Sequence, residues 1–175
     1  MPNLTDRLRA CYTGAVHDVL RMMGHERVVL PHAIKPLDPT QKLAGPVWTV
    51  SGHVDRTKSR HETLLGWCTL LSKAPAGHVV VCQPNNHEIA LMGELSAQTL
   101  MARGVTGYVV DGGSRDTDLV LEQGFPVFCS FLTPADIEHA ARLAAQQAFE
   151  RDVVDGQTPD RPGAATDDYL TAIGQ

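Results

Sequence analysis

Residues 88–131 constrain the fold most, because helical and strand patterns alternate there with short polar breaks. Apolar side chains recur at helical spacing over residues 89–100, and Gly104 marks the end of that helix. The apolar run 108–110 then predicts a strand, which an aspartate and two glycines close. This alternation of helix and strand indicates an α/β fold whose sheet is covered on at least one face.

A second helix and strand follow in the same stretch. Ser114 is a good N-cap residue for a helix predicted over residues 115–123. Asp116 and Asp118 fall in its first turn, where carboxylates interact favourably with the helix dipole. Residues 126–131 are apolar and predict the strand that comes next.

Charged side chains stand at the starts of these two helices. Glu94 follows Gly93, and Arg115 and Asp116 follow Ser114. Twenty residues separate Glu94 from Arg115, enough for one helix and one strand to return the chain to the same end of a sheet. We therefore expect two carboxylates and a guanidinium at one sheet edge, where α/β proteins bind ligands. The alternative is that the Arg–Asp pair is only a helix cap and a surface ion pair.

The spacing of these residues resembles the signature of the 4-hydroxy-4-methyl-2-oxoglutarate aldolase family, which also contains the regulators of ribonuclease E activity A. The signature is an acid, twenty residues, Arg-Asp, two residues and a second acid; residues 93–128 match it with Glu94, Arg115 and Asp116. The last acid position holds Leu119, and the nearest carboxylate, Asp118, comes one residue early. Residues 30–52 resemble the family as well.

The resemblance implies a fold and two kinds of function. The fold would be a layered α/β/β single domain of the swivelling-domain, phosphohistidine-domain-like type over residues 1–154, with a polar tail at 155–175. The first function is a class II pyruvate aldolase that cleaves 4-hydroxy-4-methyl-2-oxoglutarate or a related 4-hydroxy-2-oxo acid and also decarboxylates oxaloacetate. The second is a non-catalytic regulator that binds and inhibits a ribonuclease.

The aldolase chemistry requires groups that hold a carboxylate and stabilise an enolate. Arg115 stays protonated and offers two donors to carboxylate or enolate oxygens. Backbone N–H groups at a helix start also suit an anion; here they lie at Leu95 and Ser96, after Gly93. In the family these same places hold the carboxylate of pyruvate.

A metal ion completes the implied site. Asp116 would ligate Mg²⁺ or Mn²⁺, since one carboxylate with several waters is a usual arrangement for Mg²⁺. The ion would polarise the keto oxygen of the substrate. By resemblance, Glu94 would hold a metal-bound or catalytic water and help to move the proton.

Composition sets limits on partners and location. The chain has 175 residues and a net charge of −5, without a basic patch interleaved with aromatic residues, so we expect no direct nucleic-acid contact. We expect no membrane span and a cytoplasmic location, because no apolar run is long enough to cross a bilayer and the start lacks the apolar centre of a signal peptide. An acidic surface also suits a basic partner such as a ribonuclease. Four widely spaced cysteines predict reduced, mostly buried thiols: Cys11, Cys68, Cys82 and Cys129.

Three further helices and an assembly are predicted from the segments before and after residues 88–131. Residues 4–23 form an amphipathic pattern that Thr5 could cap. Residues 58–72 predict a helix whose buried face holds four residues: Leu64, Leu65, Cys68 and Leu71. A helix over residues 134–154 carries a stripe of small apolar residues that can pack on a neighbour. We therefore expect a homo-oligomer, a trimer or hexamer.

Overall fold

The computed structural model describes residues 3–133, in which five helices and eight strands form. The helices are α1 Leu4–Ala10, α2 Thr13–Met22, α3 Arg60–Lys73, α4 Glu94–Ala102 and α5 Thr117–Glu122. The strands are β1 Lys35–Pro36, β2 Val47–Ser51, β3 Val79–Gln83, β4 Ala90–Met92, β5 Gly107–Val110, β6 Gly113–Ser114, β7 Val127–Cys129 and β8 Phe131–Leu132. The α/β class expected from the sequence is confirmed.

The strands form two sheets. A five-stranded sheet has the order β1-β7-β5-β3-β2, in which only β1 runs antiparallel to its neighbour. A smaller sheet has the order β4-β6-β8 and is wholly parallel. The chain passes from the large sheet to the small one three times, from β3 to β4, from β5 to β6 and from β7 to β8.

The core lies between the central strands of the large sheet and the helices α3, α4 and α5. Alternate residues of β3, β5 and β7 share one buried face, as the period of two in a strand requires. They pack against apolar residues of the three helices, of which Leu100 and Val120 are fully buried. The buried strand residues in this cluster are Val80, Cys82, Tyr108, Val110, Val127 and Cys129.

The N-terminal pattern forms two helices instead of one. Cys11 and Tyr12 are extended, and the N–H of Cys11 donates to the carbonyl oxygen of Leu8, which closes α1 before α2 begins. Asn3 caps α1 through its side chain, so the expected cap at Thr5 is wrong. Neither helix contains a buried residue, and Met22 is 86% exposed. The sequence therefore does contain the apolar stripe, but within the described residues its side chains are not buried.

Helix α3 forms where expected, but its buried face is shifted. Leu71 is buried, whereas Leu64, Leu65 and Cys68 are exposed. Trp67 and Leu70 are the residues that pack against the core instead. Ser59 and Glu62 form a capping box at the helix start, which fixes where the helix begins.

Three boundaries in residues 88–131 differ from the expectation. Residues 90–92, predicted as helix, form β4 because they pair with β6. Ser114, predicted as a helix cap, lies in β6, and α5 begins only at Thr117. The predicted strand at 126–131 is two strands in different sheets, β7 and β8.

The environments of the cysteines predict which thiols react. Cys82 and Cys129 are buried, and burial raises the pKa of both thiols, whereas Cys11 and Cys68 are exposed. The expectation that most cysteines are buried is therefore wrong for two of the four. We expect two thiols to react quickly with a disulfide reagent at neutral pH in the native protein and four in denaturant, because reaction needs an accessible thiolate. Four fast equivalents in the native protein would contradict this packing.

Some predictions concern residues outside 3–133. The helix expected over residues 134–154, the tail at 155–175 and the domain boundary between them lie outside the described residues. Over the described residues, none of the helices has both the length and the apolar character required to cross a bilayer.

Candidate functional site

The three strands of the small sheet end side by side. Because β4, β6 and β8 are parallel, their carboxyl ends meet at one edge of the sheet. Gly93 follows β4, Arg115 follows β6 and Thr133 follows β8. The N–H of Arg115 donates to the carbonyl oxygen of Met92 (2.9 Å), and that of Thr133 to the carbonyl oxygen of Ser114 (3.0 Å). The structure thus brings Glu94 and Arg115 to one edge, as the spacing predicted.

The carboxylate of Asp116 lies at the start of α4. Its Oδ2 atom accepts a hydrogen bond from the backbone N–H of Glu94 (3.3 Å) and lies 3.4 Å from Nε of Arg115. Asp116 itself is the N-cap of α5, in the left-handed region at φ 52°. A left-handed conformation costs free energy in a residue with a side chain. It turns the chain between β6 and α5 at the point where Arg115 and Asp116 approach α4.

The two side chains differ in their exposure to solvent. The side chain of Arg115 is 47% exposed and that of Asp116 is 23% exposed. An anion from solvent can therefore reach the guanidinium, while the partly buried carboxylate keeps its position against α4. Ser114, just before them, is fully buried, and within the described residues its Oγ atom has no hydrogen-bond partner.

Gly93 permits the close approach of α4 to the Arg-Asp pair. A Cβ atom added to Gly93 would lie 2.6 Å from Oδ2 of Asp116 and 3.1 Å from Cγ of Arg115. The backbone of Gly93 is extended (φ −162°), so any residue could adopt its conformation. Glycine is required here for space and not for its conformational freedom.

Two contacts at the start of α4 were not predicted from the sequence. Nε1 of Trp67 on α3 donates to Oγ of Ser96 (3.0 Å), and Nε2 of Gln98 donates to Oε1 of Glu94 (3.1 Å). The Gln98 contact follows the i,i+4 rule for helices and could have been found in the sequence. The Trp67 contact joins residues 29 positions apart, for which the sequence carries no local signal.

The remaining predicted residues are placed as follows. Leu95 and Ser96 lie in the first turn of α4, next to Glu94. Leu95 is 73% exposed, so the surface at this helix start is open to solvent. Asp118 and Leu119 are exposed on the first turn of α5, and Asp118 does not take part in the contacts of Asp116 described above.

The oxygen donors at this edge fit a hard divalent cation held by few protein ligands. Asp116 provides a carboxylate at this edge, and Mg²⁺ commonly binds one or two carboxylates and keeps several waters. Within residues 3–133 no group of three or more His, Cys, Asp or Glu side chains could hold a metal ion. The described residues therefore do not provide a closed protein cage for a metal ion.

Two relatives are similar to most of this chain. Protein DlpA of Legionella pneumophila subsp. pneumophila is 30% identical over 131 residues, which are 74% of this chain and 21% of DlpA. A protein of Halalkalibacterium halodurans, provisionally named a 4-hydroxy-4-methyl-2-oxoglutarate aldolase, is 25% identical over 77% of this chain and 59% of its own length. The chain thus spans about a fifth of one relative and about three fifths of the other.

Solved structures share the fold. The crystal structure of Streptomyces coelicolor RraAS2, described as an unusual member of the RNase ES inhibitor RraA protein family, has a TM-score of 0.63 and 26% identity. The match covers 77% of this chain and 67% of RraAS2, and it confirms the expected RraA-like α/β fold. A profile of the RraA-like family, described as Aldolase/RraA, matches residues 13–163. This match spans most of the sequence, and the chain therefore belongs to the RraA-like family, which includes aldolases and RraA regulators.

Proposed function

We propose that this chain is a divalent-metal-dependent carbon–carbon lyase that releases pyruvate from 4-hydroxy-4-methyl-2-oxoglutarate or a related 4-hydroxy-2-oxo acid. Oxaloacetate decarboxylation would be its second activity. One observation carries the proposal: Oδ2 of Asp116 lies 3.3 Å from the N–H of Glu94 and 3.4 Å from Nε of Arg115. A helix start, a guanidinium and a carboxylate thus meet at one solvent-accessible edge, as the chemistry requires.

Two cationic or dipolar groups would bind the 2-oxo acid. The guanidinium of Arg115 pairs with the carboxylate and the oxygen of the developing enolate. The N–H groups of Leu95 and Ser96, with the positive end of the α4 dipole, hold the other side of the carboxylate. Gly93 allows these two groups to approach each other.

The reaction transfers one proton and breaks one carbon–carbon bond. The 4-hydroxyl group loses its proton, the bond between C3 and C4 breaks, and its electron pair forms the enolate of pyruvate at C3. A proton delivered to C3 then gives pyruvate, while C4 becomes the new carbonyl carbon. With oxaloacetate the same enolate forms when C4 leaves as carbon dioxide. Glu94, which Gln98 holds by a hydrogen bond, is the group that we assign to moving the proton through water.

Asp116 would hold the metal ion, Mg²⁺ or Mn²⁺. The cation would supply Lewis acidity at the keto oxygen and so stabilise negative charge there. Asp116 also keeps Arg115 and the start of α4 in place, because one of its oxygens contacts both. Asp116 would therefore hold the ion close to the groups that bind the substrate carboxylate.

A coupled assay tests the function. Purified protein is incubated with 4-hydroxy-4-methyl-2-oxoglutarate and Mg²⁺, and pyruvate is followed through lactate dehydrogenase and NADH. We expect two pyruvates per substrate, with turnover that EDTA abolishes and added Mg²⁺ or Mn²⁺ restores. No pyruvate from this compound or from a panel of 4-hydroxy-2-oxo acids, at any metal concentration, would overturn the aldolase assignment.

Gly93 offers a test that leaves every charged group in place. In Gly93→Ala the new Cβ would lie 2.6 Å from Oδ2 of Asp116, so the carboxylate and Arg115 must move. We expect activity to fall about tenfold or more, since displacements of about 1 Å in a positioned site carry losses of this size or larger. Gly66→Ala is the matched control, because a Cβ at Gly66 on α3 meets nothing within 4 Å. Equal activity of the two variants would show that the close approach at Gly93 is not needed.

The alternative function is a non-catalytic regulator that binds and inhibits a ribonuclease. Two observations favour it: RraAS2 is described as belonging to a family of RNase ES inhibitors, and Leu119 occupies the position of the last acid in the signature. A ribonuclease assay with stoichiometric chain, at several salt concentrations, tests it directly. Inhibition by Arg115→Lys as strong as by the natural chain would favour the regulator over the lyase.

The assembly and domain limits complete the proposal. We propose a homo-oligomer, a trimer or hexamer, with residues 134–154 at or near the interface. We also propose one domain over residues 1–154. Light scattering on the intact chain and on one that ends at Thr133 tests the assembly; a well-folded monomer in the intact case would remove the oligomer.

A further inference from the structure

Helix α4 is tied to α3 at both of its ends. At its start, Nε1 of Trp67 donates to Oγ of Ser96 (3.0 Å); at its end, Nε of Arg103 donates to the carbonyl oxygen of Ala74 (3.1 Å). Both bonds join residues 29 positions apart, so the two helices run side by side in the same direction and in register. The bond at the start falls in the turn that carries the proposed carboxylate donors.

The Trp67 bond constrains what the Ser96 hydroxyl can do. A serine in the first turn of a helix can bond to the backbone of that turn and so compete for its N–H groups. Here Oγ of Ser96 accepts a partly buried hydrogen bond from another helix. The N–H of Glu94 is already bonded to Asp116. The backbone N–H groups of Leu95 and Ser96 come next in the same turn, and these are the groups proposed to bind the substrate carboxylate.

Trp67 is itself well anchored. It is half-buried and packs against the core cluster through α3, while its neighbours on that helix, Leu64, Leu65 and Cys68, face solvent. Through its hydrogen bond to Ser96, Trp67 therefore joins the first turn of α4 to the packed core. Leu95, in the same turn, is 73% exposed, so no segment within residues 3–133 covers its side chain.

We propose that Trp67 is a positioning residue for the 2-oxo acid site: by holding Ser96, it aims the backbone N–H groups of Leu95 and Ser96 at the substrate carboxylate. This inference rests on the proposed lyase function. The N–H groups bind the substrate carboxylate equally in the ground state and in the transition state. Loss of the Trp67 hydrogen bond therefore weakens substrate binding more than it slows the chemical step.

Trp67→Phe removes the indole N–H and keeps an aromatic ring. We expect the dissociation constant of pyruvate, measured by calorimetry, and the KM for oxaloacetate to rise about fivefold, as for the loss of one neutral hydrogen bond. We expect kcat to change less than twofold. Ser96→Ala should reproduce this effect, and Ser96→Thr, which keeps the hydroxyl acceptor, should restore most of the affinity.

Two controls separate positioning from general stability. Trp48→Phe makes the same substitution at the other tryptophan, which packs on the core from β2, and Arg103→Lys loosens the far end of α4. Both should leave the KM unchanged even where the melting temperature falls. In ¹H–¹⁵N spectra of the intact chain, the indole signal of Trp67 should shift on titration with pyruvate while that of Trp48 stays in place.

The outcomes distinguish this inference from the function on which it rests. If the natural chain binds pyruvate and Trp67→Phe binds it equally well, the positioning role is overturned and the lyase stands. An equal rise in KM for Trp67→Phe and Trp48→Phe would also overturn it, because the effect would be general. If the natural chain neither binds pyruvate nor acts on oxaloacetate, the proposed function fails first and the inference fails with it.

Discussion

Arg115→Lys is expected to lose most of the lyase activity although it keeps the positive charge. Lysine presents a compact ammonium group and cannot offer the planar pair of donors that grips a carboxylate or enolate. It also cannot keep the contact of Nε with Asp116 while it binds substrate. Removal of one preorganised donor to a developing oxyanion costs about 3 kcal/mol, or on the order of 100-fold in kcat/KM. Steady-state kinetics on oxaloacetate measure the loss.

A matched substitution at another arginine provides the control. Arg103 lies at the opposite end of α4, about 13 Å along the helix axis from Glu94 at 1.5 Å per residue. It has a structural hydrogen bond of its own, from Nε to the carbonyl oxygen of Ala74. Arg103→Lys should leave kcat/KM within about twofold of the natural chain. Near-natural turnover in Arg115→Lys would mean that Arg115 is only half of a structural ion pair.

The second large effect is expected on metal binding. Asp116→Asn should weaken the affinity for Mn²⁺ or Mg²⁺ at least about tenfold, which corresponds to about 1.4 kcal/mol, because it removes the negative charge nearest the proposed ion. The amide is similar in shape and its oxygen can still accept from the N–H of Glu94, so the fold should be retained. Titration calorimetry with Mn²⁺ measures the change without reliance on turnover.

Asp118→Asn is the paired comparison for that measurement. Asp118 lies two residues further along, exposed on the first turn of α5, and in the sequence it is the carboxylate nearest to Leu119. We expect this variant to bind the metal nearly as well as the natural chain. Equal losses in both variants would make Asp118 a ligand as well, and no loss in either would remove the metal site at Asp116.

The order of the longer helices and strands and the meeting of the site residues could be predicted because they depend on local patterns. The apolar run 108–110 predicts a strand from its composition alone, and the structure forms β5 there. Gly104 predicts the end of the preceding helix, and α4 ends just before it. The twenty residues between Glu94 and Arg115 are enough for the chain to return to one edge. The prediction that the two residues meet does not depend on which sheet the edge belongs to. It is therefore correct even though the edge belongs to a second sheet that was not predicted.

The second sheet could not be predicted because its strands are too short to carry a period. Strands β6 and β8 have two residues each, and β4 has three. They are strands only because they pair with one another, which depends on contacts remote in sequence. The same reason explains why Ser114 reads as a helix cap. Its small polar side chain suits an N-cap, and nothing local shows that it is buried in a sheet.

The detailed geometry of the site also depends on contacts between residues that lie far apart in the sequence. Asp116 has a left-handed backbone and bonds to the N–H of Glu94, 22 residues earlier. Trp67 reaches Ser96 across two helices, and sequence periodicity assigned the buried face of α3 to Leu64, Leu65 and Cys68 instead. The meeting of Glu94, Arg115 and Asp116 was thus predictable, whereas the contacts that hold them in place were not.

The measurement that tests the central claim most directly is pyruvate release from oxaloacetate at a fixed concentration of Mg²⁺ or Mn²⁺. Divalent ions decarboxylate oxaloacetate slowly on their own, so each rate is compared with the same metal alone and with Arg115→Lys. We expect the natural chain to exceed both rates, EDTA to abolish the difference and added Mn²⁺ to restore it. A rate equal to that of the metal alone, or one that EDTA leaves unchanged, would contradict a metal-dependent lyase at Arg115 and Asp116.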